Sequence, residues 1–161
     1  VDAIVKTLAN RDIEIILEPG RSIVGNAGVL LTRVEYIKQA EDRNFAIVDA
    51  AMNDLLRPSL YSAYHKILTV NESSNNAEAE YDIVGPICET GDFLGKSRKL
   101  AIQQGDLIAV CSTGAYGFTM ASNYNSRPRV TEVMVDGSNV HLIRRMETIE
   151  DLFRHESVLP K

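Results

Sequence analysis

Short runs in which apolar and polar residues alternate fill most of the chain, and this period of two is typical of β-strands. The clearest run is GVLLTRVEYIKQ (28–39), which the polar turn AEDR separates from NFAIVDAAM (44–52). Asp136-Gly137 lies between two β-rich halves and predicts a hairpin. The predicted strands are 28–39, 44–52, 79–88, 106–113 and the two halves of 129–145. Strands this numerous and closely spaced favour a mainly antiparallel β-barrel or β-sandwich.

The first 26 residues follow a different pattern. Residues 1–12 read as the end of a helix with an apolar stripe, and IEIILEPGRS (13–22) reads as a short buried strand that stops at Pro19-Gly20. A helix, a buried strand and a glycine-containing loop are typical of parallel α/β structure. We therefore expect residues 1–26 to be the end of an α/β domain and residues 27–161 to be the β domain.

A helix is also expected near the end of the chain, in TIEDLFRH (148–155). Thr148 is a favourable N-cap, and Asp151 follows it by three residues, which is the spacing of a capping box. The β domain is therefore predicted to finish with a short terminal helix.

Composition excludes several classes of function. The chain has 161 residues, a formal net charge of −5 and a pI of about 5.2, which argue against a nucleic-acid partner. No apolar run is long enough to span a membrane. Two cysteines, Cys88 and Cys111, form neither a disulfide framework nor a metal-ligand spacing, so we expect no metal and a cytoplasmic setting. The start at Val1, without a signal peptide, is expected for a fragment or a processed product.

Two segments carry candidate anion-binding groups. In EPGRS (18–22), Gly20 allows backbone N–H groups to approach an anion, and the guanidinium of Arg21 can bind a carboxylate or phosphate through two hydrogen bonds. In RPSLY, Arg57 and Tyr61 together can clamp a carboxylate. A plain turn with a surface arginine, or an exposed arginine beside a packed tyrosine, explains the same residues without a ligand.

Two further segments are rich in reactive or small polar residues. GPICETGDFLG (85–95) places the thiol of Cys88 next to the carboxylate of Glu89, and GAYG surrounds Tyr116 with small residues that allow a ligand to approach. The alternatives are a buried small cysteine beside an exposed glutamate, and a glycine-rich loop with a core tyrosine. These residues alone do not decide between the two readings.

The four segments occur in an order that resembles a known family. LEPGRSIVGNAG, VDAAMNDLLRPSLY, GPICETGDFL and GAYGFTMASNYNSRPR together are similar to the C-terminal part of the diaminopimelate decarboxylases, which belong to the alanine-racemase-like, fold-type III enzymes that use pyridoxal 5′-phosphate. The resemblance covers nearly the whole chain. It implies a TIM barrel followed by a β domain, so that residues 1–26 would be the last βα piece of the barrel.

The resemblance also implies a role for each candidate residue. Glu18, Gly20 and Arg21 would contact the cofactor, with Gly20 near its phosphate, and Tyr116 would contact both cofactor and substrate. Arg21, Arg57 and Tyr61 would bind the distal carboxylate of meso-diaminopimelate. Glu89 would bind its distal amino group, and Cys88 would give a proton to the α-carbon after loss of carbon dioxide. In this family, each subunit contributes the residues that match Cys88 and Glu89 to the active site of its partner subunit, which implies a homodimer.

One departure from the family concerns activity. The lysine that carries the cofactor lies in the family near the start of the barrel, and none of the lysines here (Lys6, Lys38, Lys66, Lys96, Lys99 and Lys161) is in a matching motif. We therefore expect this chain alone to be inactive. Two other functions remain open: a related decarboxylase of carboxynorspermidine or a basic amino acid, and a non-catalytic dimerisation domain.

Overall fold

The computed structural model describes residues 2–9, 11–71 and 76–160, and this part of the chain is mainly β. Its strands are β1 (Val29–Gln39), β2 (Asn44–Val48), β3 (Ile67–Thr69), β4 (Ala79–Val84), β5 (Phe93–Leu100), β6 (Leu107–Cys111), β7 (Glu132–Asp136) and β8 (Asn139–Arg144). Its α-helices are α1 (Asp2–Leu8), α2 (Arg57–Tyr61) and α3 (Ile149–Phe153), and short 3₁₀ turns cover Gly25–Ala27, Phe118–Met120 and Tyr124–Ser126. None of these helices is long and apolar enough to cross a bilayer.

Six strands form one sheet in the order β3-β6-β1-β2-β4-β5. Neighbouring strands are antiparallel except for β2 and β4, which are parallel. The edge strands β3 and β5 approach each other, and a Cβ at Gly95 would lie 3.0 Å from Cδ1 of Ile67. The sheet is therefore a nearly closed, barrel-like structure.

The interior of this barrel is formed by the side chains that point inwards from alternate strand positions. In β1, for example, Thr32 and Val34 are buried, whereas Arg33 and Glu35 are exposed. The fully buried apolar side chains of the sheet are Val34, Ala46, Val48, Ile83, Leu94, Ile108 and Val110. They belong to one hydrophobic core to which all six strands contribute, because Ile67 of β3 is also a member of it.

Strand direction places several loops at the same end of the barrel. Because β2 and β4 are parallel, the loops that follow them leave at the same edge. Strand β6 is antiparallel to β1, and β1 is antiparallel to β2, so β6 also ends at this edge and β1 begins there. We call this edge the loop edge: it collects the loop before β1 (residues 18–28) and the segments after β2 (49–61), β4 (85–92) and β6 (112–130).

The hairpin and the terminal helix confirm the sequence predictions. Strands β7 and β8 are joined through Gly137, whose φ of 59° lies in the left-handed region that glycine adopts readily. Helix α3 has Thr148 as its N-cap with a complete capping box: the side chain of Thr148 accepts from the N–H of Asp151, and the Asp151 carboxylate accepts from the N–H of Thr148.

The strand predicted in residues 13–22 is wrong for this structure. Residues 12–20 contain neither helix nor strand, and Ile16 is 78% exposed. A β-strand needs a hydrogen-bonded neighbour, and no described strand runs beside this segment. The division into parts 1–26 and 27–161, and the barrel piece in the first of them, stay predictions.

Two strands were not predicted, and one pairing differs from expectation. The pattern missed β3, which has only three residues, and β5, in which Gly95 and a left-handed Ser97 (φ 52°) interrupt the alternation. The parallel pairing of β2 and β4 is an exception to the mainly antiparallel sheet that the sequence predicts.

Candidate active site

At the loop edge, the guanidinium group of Arg57 lies between two phenol rings. Arg57 begins helix α2, and Pro58 occupies a first-turn position where a backbone N–H is not needed. The Cζ of Arg57 is 5.6 Å from the ring centroid of Tyr61 and 5.5 Å from that of Tyr116, within cation–π range. Both tyrosines are exposed. The sequence-predicted residues Arg57, Tyr61 and Tyr116 are therefore in one cluster.

The charge of Arg57 is not neutralised inside the described part of the chain. Its Nε is buried without a hydrogen-bond acceptor, and none of the salt bridges there includes Arg57. A buried N–H without an acceptor is unusual and calls for an explanation. The described residues therefore leave the charge of this guanidinium without an anionic partner.

Gly20 joins this cluster through Tyr116. A Cβ at Gly20 would lie 3.6 Å from the hydroxyl oxygen of Tyr116, so the backbone of the predicted anion-binding loop is beside the phenol. Tyr116 has a φ of 59°, a conformation that is uncommon outside glycine. Hydrogen bonds from Thr113 N to Gly28 O (3.0 Å) and from Gly114 N to Gly25 O (3.0 Å) hold the segment after β6 against the loop before β1.

The other two residues of the predicted loop are less constrained. Glu18 and Arg21 are exposed, and the stem of Arg21 lies across Gly25, where a Cβ would be 2.7 Å from its Cγ. Neither side chain has a hydrogen bond, salt bridge or ring contact with Arg57 among the described residues. The structure thus brings Gly20 to the cluster and leaves Glu18 and Arg21 at the surface of the same loop.

Cys88 and Glu89 are both exposed on the loop between β4 and β5. The buried Asp92 holds this loop in place. One of its carboxylate oxygens accepts from the N–H of Ile87 (2.6 Å), and the other accepts from the N–H of Met52 (2.7 Å) in the loop after β2. Gly85 makes room for this carboxylate, since a Cβ there would lie 2.6 Å from Oδ1 of Asp92.

A second buried carboxylate, Asp54, supports the loop after β2. It accepts from the N–H of Ala51 (2.9 Å) and from the side-chain amide of Asn53 (3.1 Å), and Nη2 of Arg127 lies 3.8 Å away. Burial raises the pKa of Asp54 and of Asp92, and their backbone hydrogen bonds and the charge of Arg127 oppose that rise. Arg127 also donates to Oδ1 of Asn53 (2.9 Å) and to the carbonyl of Asp49 (2.7 Å).

Helix α2 and the Cys88 loop are joined directly. The hydroxyl of Ser59 donates to the carbonyl oxygen of Gly91. Tyr124, from the segment after β6, reaches the same loop, and its hydroxyl donates to Oε1 of Glu89 at 2.5 Å. Sequence reasoning missed Ser59, Asp92, Asp54, Arg127 and Tyr124 as parts of the site. All five lie inside the four motifs quoted in the sequence analysis. Their position close to the predicted site residues in the sequence was the signal that could have identified them.

The predicted residues thus form two groups at the loop edge. The first is Gly20, Arg57, Tyr61 and Tyr116, and the second is Cys88 and Glu89 with Tyr124. No hydrogen bond, salt bridge or ring contact of the described residues joins Cys88 or Glu89 to the first group. Within residues 2–9, 11–71 and 76–160, no three His, Cys, Asp or Glu side chains are arranged to hold a metal ion.

Comparison with known proteins gives a family for this arrangement. A family model described as the C-terminal sheet domain of pyridoxal-dependent decarboxylases matches residues 8–114. The chain belongs to this decarboxylase family. The match includes the loop before β1, helix α2, the Cys88 loop and Gly114, and it ends before Tyr116 and Tyr124.

Individual relatives carry a more specific name. The chain is 59% identical over 152 residues to a diaminopimelate decarboxylase of Vibrio cholerae, covering 94% of this chain and 36% of that protein. It is 58% identical over 161 residues to one of Pseudomonas aeruginosa, covering all of this chain and 39% of that protein. The chain therefore spans a little over a third of the length of these relatives.

Solved structures support the same fold. The crystal structure of diaminopimelate decarboxylase from M. jannaschii in co-complex with L-lysine superposes with a TM-score of 0.90 at 40% identity, covering 99% of this chain and 38% of that chain. The nearly closed, barrel-like sheet is therefore the architecture of this family's C-terminal sheet domain.

The residues at the loop edge fit a pyridoxal phosphate and amino-acid ligand. Gly20 presents backbone without a side chain beside the Tyr116 hydroxyl, which suits close approach of an anionic group. Arg57 has a buried Nε without an acceptor and no carboxylate partner in the described residues. Both features suit a ligand that carries phosphate and carboxylate groups.

Proposed function

We propose that this chain is the substrate-binding and proton-donating part of a pyridoxal phosphate-dependent diaminopimelate decarboxylase, which converts meso-2,6-diaminopimelate to L-lysine and carbon dioxide. The observation that carries this proposal is the unpaired guanidinium of Arg57 between Tyr61 and Tyr116. A related protein was solved with L-lysine, which is the product of the proposed reaction.

The chemistry of the substrate explains why both a cation and an anion are needed. Diaminopimelate has an amino-acid group at each end, so the end that does not react presents a carboxylate and an ammonium. Arg57 and Arg21, with the Tyr61 hydroxyl, supply donors for the carboxylate, and Glu89 supplies the acceptor for the ammonium. Lysine and ornithine lack a distal carboxylate and would leave these arginines unpaired, which is unfavourable in a desolvated site.

Glu18, Gly20, Arg21 and Tyr116 would hold the cofactor. When bound, pyridoxal phosphate supplies an electron sink for the bond that breaks. The chain's own residues then orient the substrate and provide one proton. The Cα–CO₂ bond breaks with its electron pair on the α-carbon, the thiol of Cys88 gives its proton to that carbon, and water returns a proton to the sulfur.

The proposal includes a homodimer in which each subunit lends Cys88 and Glu89 to its partner's site. Both side chains are exposed at the loop edge, while the backbone that carries them is fixed by Asp92. An exposed, well-anchored loop suits a residue pair that acts on a ligand held by another subunit. A cytoplasmic setting is part of the same proposal.

A chimaera tests the function directly. This chain would replace the matching 152 residues of the Vibrio cholerae relative. Release of carbon dioxide would be measured with meso-diaminopimelate, lysine, ornithine or carboxynorspermidine as the substrate, and formation of lysine would be measured with meso-diaminopimelate. We expect lysine from diaminopimelate and no turnover of the others. A folded chimaera that prefers another diamine would refute the assignment of meso-diaminopimelate as the substrate. A folded chimaera without decarboxylase activity would favour a non-catalytic dimerisation domain.

A second measurement concerns the chain alone, which we propose to be inactive because no lysine lies in the family's cofactor motif. Pyridoxal phosphate added to the purified chain should give no Schiff-base absorbance band and no lysine. A band that borohydride reduction fixes to one of the chain's lysines would contradict this.

A further inference from the structure

Tyr124 makes a direct and short contact with the predicted ammonium-binding residue. Its hydroxyl donates to Oε1 of Glu89 at 2.5 Å, across 35 positions of the sequence. Oε2 of Glu89 has no hydrogen bond to any described residue. The carboxylate is therefore held through one oxygen, and the other oxygen is available.

The two side chains come from separate segments that are anchored to the same loop. On the Tyr124 side, the N–H of Ser122 donates to the carbonyl of Asn53 (2.9 Å), and Arg127 donates to the side chain of Asn53 (2.9 Å). On the Glu89 side, Asp92 joins Ile87 to Met52. Residues 52 and 53 thus anchor the two backbone segments from which the Tyr124 and Glu89 side chains extend.

The electrostatics of the pair agree with this geometry. The pKa of Tyr124 is raised, chiefly by its hydrogen bond to Glu89, then by the charge of that carboxylate, with smaller contributions from burial and from Cys88. The phenol therefore stays protonated near neutral pH and acts as the donor.

We propose that Tyr124 is a positioning residue for substrate binding: its hydroxyl fixes one oxygen of Glu89 so that the other faces the distal ammonium of the diamine substrate. This inference rests on the proposed function. A free glutamate would lose rotamer freedom on binding the ammonium, and Tyr124 removes part of that cost in advance. Tyr124 thus acts through Glu89 and does not itself take part in proton transfer.

The first test uses the chain itself and needs no activity. Phenol ionisation is followed by ultraviolet absorbance in the wild type and in Tyr124→Phe, and the difference gives the titration of Tyr124. We expect Tyr124 to ionise at a pH above the ordinary pKa of tyrosine, and Glu89→Gln should lower the pKa of Tyr124. Tyr36→Phe, a change in an exposed tyrosine of β1, is the matched control. A Tyr124 titration that Glu89→Gln leaves unchanged overturns the inference.

The second test measures kinetics in the chimaera. Tyr124→Phe should raise KM for diaminopimelate by about five- to tenfold, as expected for one hydrogen bond to a charged acceptor, with kcat changed less than about twofold. In a Glu89→Ala background the same change should have no further effect on KM. Tyr36→Phe should leave both constants unchanged. Effects that add fully in the double variant, or a fall in kcat with KM unchanged, overturn the inference.

The two tests separate this inference from the proposed function. If the unmodified chimaera forms no lysine, the proposed function fails, and the substrate-positioning role of Tyr124 fails with it, whatever the titration shows. If lysine is formed but Tyr124 proves independent of Glu89, only the inference about Tyr124 fails.

Discussion

The carboxylate of Asp92 accepts the backbone N–H of Met52 at 2.7 Å, across 40 positions of the sequence. This bond joins the loop that carries Cys88 to the loop that leads into helix α2. Asp92 also accepts from Ile87 and is almost completely buried. The loop edge is therefore a set of segments that are cross-linked by buried polar groups beneath an exposed surface.

Replacing Asp92 by Asn should destabilise the chain by about 1–3 kcal/mol, because the amide has a single acceptor oxygen and one of the two N–H groups loses its partner. Urea unfolding measures the loss, and faster hydrogen exchange at Ile87 would show that the Cys88 loop is loosened. Asp42→Asn, in the exposed turn between β1 and β2, is the control and should change little. Equal stability of the two variants would show that Asp92 does not hold the loop.

Gly85→Ala should be destabilising for a steric reason. The new methyl group would lie 2.6 Å from Oδ1 of Asp92 and 2.8 Å from the carbonyl oxygen of Ala50, and neither neighbour is a flexible chain end. We expect a loss of about 1–3 kcal/mol, as for overpacking of a filled site. Gly20→Ala, whose methyl would meet only the Tyr116 hydroxyl at 3.6 Å, should unfold at nearly the wild-type temperature. Thermal unfolding of both variants is the measurement.

Glu147 makes the stability of the folded chain depend on pH in the acid range. Its pKa is lowered from 4.5 to about 2, chiefly by the hydrogen bonds from the side chain and backbone of Arg129. A lowered pKa means that this stabilisation is present above about pH 4.5 and is lost as the pH falls towards about 2.

Glu147→Gln should therefore lower the unfolding temperature at pH 7 and have little effect at pH 2. Since the pair is partly exposed, added salt should reduce the difference between the two proteins. A difference that stays constant from pH 7 to pH 2 would contradict the ionic origin of the effect. Thermal melts at a series of pH values provide the comparison.

Cys88→Ala should separate catalysis from binding in the chimaera. Loss of a general acid lowers kcat by roughly 10²–10⁴-fold, while KM should change far less because the thiol is not expected to bind the substrate. Cys111→Ala, on strand β6, is the matched cysteine control and should keep kcat near the wild-type value. A Cys88→Ala variant with normal kcat and raised KM would remove the acid role.

The strands of this fold could be predicted where their signal is local. Strand β1, the β7–β8 hairpin at Gly137 and the Thr148 capping box depend on neighbouring residues, and the structure contains all three. Strand β5 could not be predicted because its pattern is broken at Gly95 and Ser97; the register with β4 shifts in this region, and pairing on both sides of the shift maintains the strand. The segment 13–22 shows the converse, since an apolar sequence without a described strand beside it forms no strand.

For the site, residue identity could be predicted but residue geometry could not. The motifs pointed to Arg57, Tyr61 and Tyr116, and the structure places them in one cluster. The contact between Tyr124 and Glu89 depends on how two segments 35 positions apart are anchored to residues 52 and 53. No local pattern in the sequence encodes that distance.

The parallel pairing of β2 and β4 has an evolutionary consequence. Because both strands deliver their following segments to one rim, new selectivity can arise there by exchanging loop residues while the barrel core of Val34, Val48 and Ile83 stays unchanged. Changes at the exposed loop positions and selection for a stable scaffold then act on different residues, because the buried loop residues Asp54 and Asp92 belong to the scaffold. Such a domain can diversify its ligands without first having to become less stable.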